Sequence, residues 1–63
     1  MTRTQEQQIR EGAERLMDEI GLLDEGFKAL DTKSQLYGII FFARLGGETK
    51  VEQVAAKLYE QFS

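Results

Sequence analysis

Seven apolar residues, Ile9, Ala13, Leu16, Ile20, Leu23, Phe27 and Leu30, follow one another at alternating steps of four and three. That is the a/d spacing of a coiled-coil seam, held for about three heptads, and it commits the first half of the chain to helix. Acid-first pairs at i and i+4, Glu6 with Arg10, Glu11 with Arg15 and Asp24 with Lys28, suit the solvated side of such a helix. The sequence contains no proline, so nothing forbids a long helix. Gly21 and Gly26 would each cost about 1 kcal/mol in a helix interior, yet the heptad phase survives both. The spacing therefore predicts one helix from about Thr4 to Leu30, roughly 40 Å long and at most mildly kinked. The competing reading makes Gly21 the C′ residue of a first helix, with Leu22 to Leu30 as a short second one.

At Asp31 the pattern stops. Asp31, Thr32, Lys33 and Ser34 are all candidate N-caps, and Thr32 with Gln35 fits a capping box, so a new helix is expected from about Thr32 to Ser34. Its body, Leu36, Tyr37, Ile39, Ile40, Phe41, Phe42, Ala43 and Leu45, is apolar almost all the way round. The β-branched and aromatic residues would also suit a strand, but a lone strand would find no partner elsewhere in the chain. Gly46 and Gly47 read as a C-cap, and Thr49 with Glu52 as a second capping box opening a last helix. Val51, Val54, Ala55, Leu58 and Phe62 form its apolar stripe.

With 63 residues there is room for one core. A domain of this size buries only roughly 60% of its unfolded surface, and a lone core below about 70 residues seldom supplies more than about 3 to 5 kcal/mol. No Cys is present to form a disulfide staple, and without Cys and His the commonest zinc ligands are missing too. The expected fold is all-α: a single domain over residues 1–63, a small bundle of one long and two short helices, completed by homodimerisation. Two short helices of about 20 Å, laid end to end along the first, would leave part of the seam and one side of Tyr37 to Phe42 in water. A two-fold dimer is the simplest way to cover such a surface.

The function classes narrow in the same way. General acid-base work is most often done by His, which is absent, and neither Ser34 nor Ser63 has a His to activate it, so no catalytic residue is expected. The carboxylates at Asp18, Glu19, Asp24 and Glu25 fit no calcium loop and read as a solvated helix face, so no metal is expected. Gly46 and Gly47 precede a helix but lack the glycine-lysine spacing of a phosphate loop, and no cofactor is implied. A net charge of −3, with eight cations scattered among eleven acids, does not favour nucleic acid as a partner. Lys50 to Tyr59 resembles the first helix of a helix-turn-helix, whose turn and recognition helix would have to follow Ser63. Met1 to Arg10 is polar rather than a signal peptide, and no apolar stretch approaches about 18 residues, so no membrane association and a cytoplasmic location are expected.

What remains is the aromatic segment. Tyr37, Phe41 and Phe42 cannot all turn into so thin a core, and aromatic residues are the usual anchors of protein interfaces, with Arg44 one turn on as a polar rim. These four are the candidate partner-binding residues. The expected function is a noncatalytic regulatory or inhibitory module that docks a helix face onto another protein. Small acidic helical proteins of this kind are typical of bacterial or phage regulators, an association of size and composition alone. The alternative is a dimeric helical nucleic-acid-binding regulator, with Arg3, Arg10 and Arg15 as its first candidate contacts.

Overall fold

The computed structural model describes residues 2–62; Met1 and Ser63, including the hydroxyl considered above, lie outside them. The described residues form helices only: α1 (Arg3–Glu19), α2 (Glu25–Lys28), α3 (Thr32–Leu45) and α4 (Thr49–Glu60). The radius of gyration is 10.7 Å, against about 10.6 Å for a compact domain of this length.

The single long helix is not formed. α1 ends at Glu19, and Gly21 takes φ +73°. The Leu22 amide donates back to the Met17 carbonyl (2.8 Å) and the Gly21 amide to that of Asp18 (3.2 Å), which is a complete Schellman motif. Only glycine adopts this left-handed conformation without penalty, so the residue that a continuous helix would merely tolerate is the one the turn requires. The heptad seam is divided accordingly. Ile9, Ala13 and Leu16 are buried and Ile20 is half-buried, whereas Leu23 and Leu30 are exposed.

Beyond the turn, Asp24 caps the one-turn helix α2 by accepting from the Phe27 amide (2.7 Å). No residue of α2 is buried, and it is fastened by a few specific contacts. Arg10 reaches across to donate to the carbonyls of Lys28 (2.8 Å) and Leu30 (3.3 Å) and to Thr32 Oγ1 (3.2 Å). Gln35 Nε2 donates to the carbonyls of Phe27 and Lys28, and the Phe27 ring lies over Gly38.

The caps of α3 and α4 differ in part from the sequence pattern. Asp31, not Thr32, is the α3 N-cap, taking the Ser34 amide and hydroxyl. Thr32 and Gln35 are both buried instead of forming a box, because their side chains are used to hold the α2–α3 link. At the other end Gly47, with φ +72°, closes a second Schellman motif, its amide on Arg44 and that of Glu48 on Ala43. α4 has Glu48 at its N-cap with no side-chain cap bond, so the Thr49 and Glu52 box is absent. A box that sequence reading passed over does form at Thr2 and Gln5.

α3 and α4 make the most extensive helix pair, antiparallel, with α1 laid against both. Met17, Leu36, Ile39, Ala43 and Ala55 are wholly or almost wholly inaccessible, with Ile9, Leu16 and Val51 around them. Val54, expected on the buried stripe, is exposed because α4 turns Val51 and Ala55 inward and leaves Val54 at the margin.

Candidate interaction face

α3 has two sides. Leu36, Ile39 and Ala43 point into the core, each with no accessible surface, while Tyr37, Phe41, Phe42 and Leu45 keep 65, 54, 46 and 70% of theirs. Positions 37, 41 and 45 are successive i+4 neighbours and so form one ridge along the helix, with Phe42 beside it. The Phe41 and Phe42 rings meet edge to face, their centroids 5.6 Å apart and their planes at 86°. This T-shaped pairing orients the two rings while leaving both in water.

The origin of the face lies in the sequence of α3. From Leu36 to Leu45 every position but Gly38 and Arg44 is apolar, but only one side can contact α1 and α4. The rest has no element to cover it. Exposed rings of this size each offer on the order of 100 Å² of apolar surface, so the ridge exceeds the scattered exposure normal for a monomer.

Toward α4 the ridge borders a shallow groove lined by Tyr37, Ile40, Phe41, Arg44 and Tyr59. Tyr37 and Tyr59 lean together across it, with ring centroids 6.4 Å apart. Lys33 Nζ stands 5.7 Å from the centre of the Tyr59 ring, within cation–π range. At the opposite end Arg44 Nε donates to Glu52 Oε2 at 2.9 Å, and the Arg44 side chain is still 72% exposed.

Of the four residues expected from sequence, Tyr37, Phe41 and Arg44 line this groove, whereas Phe42, about 160° round the helix from Arg44, meets Phe41 from the other flank and stays outside it. Sequence reasoning missed Leu45, Tyr59 and Glu52. Leu45 could have been found from its i+4 step after Phe41. Tyr59 and Glu52 could not, since their place depends on the antiparallel return of α4.

The nucleic-acid candidates fare differently. Arg10 is engaged by the α2–α3 link, and Glu6 and Glu11 lie on the same helix as Arg3, Arg10 and Arg15. Of the charge pairs read along the sequence none forms; among the described residues the ion pair is Arg44 with Glu52. Among those same residues no cluster of three or more potential metal ligands occurs, and no helix is long and apolar enough to cross a membrane. No family model, curated protein or solved structure matches the chain.

Proposed function

We propose that this chain is a noncatalytic protein-interaction module, acting in the cytoplasm as a regulator or inhibitor, that docks another protein on the outer face of α3. The observation that carries the reading is the contrast within one helix. Its inner side chains are fully buried, and four large apolar side chains on its outer side stand about half or more in water. Aromatic anchors with a cationic rim are what interface cores are made of.

A second copy of the chain is the other occupant to weigh. The first argument for a dimer was an unsatisfied heptad seam, but Ile9, Ala13 and Leu16 are already buried inside one chain. Pairing α3 with itself also meets a charge problem, because its only charged residues are Lys33 and Arg44. An antiparallel pair aligned end to end along Lys33 to Arg44 would set one against the other, and an in-register parallel pair would set each against its own copy. Both arrangements juxtapose like charges, which opposes association. The nucleic-acid alternative is disfavoured by the net charge and by the structural engagement of Arg10.

The test is capture from a lysate of the source cell by the wild-type chain and by Phe41→Ser combined with Leu45→Ser. The reading expects a specific partner to be lost while the helical circular dichroism is unchanged. Equal capture by both proteins would remove the face from the account.

A further inference from the structure

We infer that the α3–α4 groove takes an amphipathic helix whose apolar seam is bracketed by two carboxylates, one received by Lys33 and the other by Arg44. This rests on the docking reading above and specifies the chemistry of the partner.

The first ground is the distribution of charge. α3 carries two cations and no acid, so all eleven acidic residues of the chain lie elsewhere, with only six cations among them. The exposed apolar face therefore belongs to the one cationic helix of an acidic protein. A docking partner matched to that helix is acidic, and the acidic remainder repels acidic chains that approach anywhere else.

The second ground is register. Lys33, Tyr37, Ile40 and Arg44 follow at steps of four, three and four, a single stripe down the α4-facing side of α3. Lys33 and Arg44 are separated by a rise of about 16 Å, with apolar side chains between them. A helix lying along the stripe would present anchors at i, i+3 or i+4 and i+7, with acids about eleven positions apart at the ends.

The third ground is that both cations have donors to spare. Lys33 is held over the Tyr59 ring, and it is in no ion pair among the described residues. Arg44 uses Nε on Glu52, and its two terminal nitrogens make no hydrogen bond among the described residues. A guanidinium can take a second carboxylate on that free edge. The outer surface of this chain's own α1 would not serve as the ligand. It is acidic, but its apolar residues Ile9, Ala13, Leu16 and Met17 are turned into the core.

The experiment is a selection on the immobilised full chain from a displayed library of amphipathic helices about five turns long. Seam positions vary among apolar residues, and the two flanks vary among Glu, Gln and Lys. Glu is expected at both flanks with an enrichment over Lys of about tenfold, as two exposed ion pairs would give. Lys33→Glu with Arg44→Glu, checked for fold by circular dichroism, should reverse the preference. Arg44→Gln should abolish it at one flank only. Helices selected without flank preference, or a Glu preference that survives the reversal, would overturn the inference and leave the docking face standing. No helix enriched on wild type over Phe41→Ser with Leu45→Ser would overturn the inference, and only equal lysate capture by those two proteins would overturn the docking reading with it.

Discussion

Arg44 Nε donates to Glu52 Oε2 across 2.9 Å, tying the last turn of α3 to the first turn of α4 beside the turn that connects them. The pair lies at the surface, where solvent screening and side-chain entropy leave most such bridges with at most about 1 kcal/mol. Arg44→Ala is therefore expected to change the free energy of unfolding in urea by less than about 0.5 kcal/mol while weakening partner binding. A large loss of stability would make Arg44 a structural residue instead of a docking one.

Gly21 supports a prediction whose sign separates two folds. A Cβ at this position would meet open space, so only the backbone decides the outcome of Gly21→Ala. With φ at +73° the substitution should destabilise by about 1 to 2 kcal/mol. In a continuous helix it would stabilise by about 1 kcal/mol. Thermal unfolding of the variant reads the difference directly.

Gly38 is a close approach. A Cβ there would come within 2.6 and 2.8 Å of Phe27 ring atoms, so Gly38→Ala must displace the ring that fastens α2. A destabilisation of about 1 kcal/mol is expected in the wild-type background. In a Phe27→Ala background the obstacle is gone, and the same substitution should stabilise by roughly 1 kcal/mol through helix propensity. Urea unfolding of the four proteins gives the coupling.

Asp31 carries the pH dependence that the fold predicts. The Ser34 hydroxyl and then its amide, both donating to the carboxylate, hold the Asp31 carboxyl below its ordinary value. A group depressed in the folded state contributes stability above its unfolded pKa of about 3.9, and loses it as the pH falls through the lower folded value. Asp31→Ala should lower the thermal midpoint at neutral pH, and the gap to wild type should close as the pH is taken below that of ordinary carboxyl titration. A gap independent of pH would mean that the cap does not act through the carboxylate.

Much of this architecture was legible in the sequence where the signal was local. Gly46 and Gly47 marked the end of α3, Asp31 stood among the expected caps, and the crowding of Tyr37, Phe41 and Phe42 implied that some rings would face outward. The break at Gly21 was not legible from periodicity. A Schellman turn can leave the heptad phase of the letters intact while redirecting the chain, and folding back buries more surface than extending a helix into water. Thr32 and Gln35 misled for a related reason. Their spacing fits a capping box, but Asp31 supplies the cap and a buried Gln35 amide instead secures the carbonyls of α2. The groove needed Tyr59 and Glu52, which only the return of α4 brings to α3.

The most direct test of the central claim, that the α3 face is open to a different protein and not covered by a second copy, is the solution mass by light scattering across a wide dilution series. The expected mass is 7.2 kDa at every concentration. A stable mass of twice that value, reduced to the single chain by Phe41→Ser with Leu45→Ser, would contradict it and assign the face to self-association.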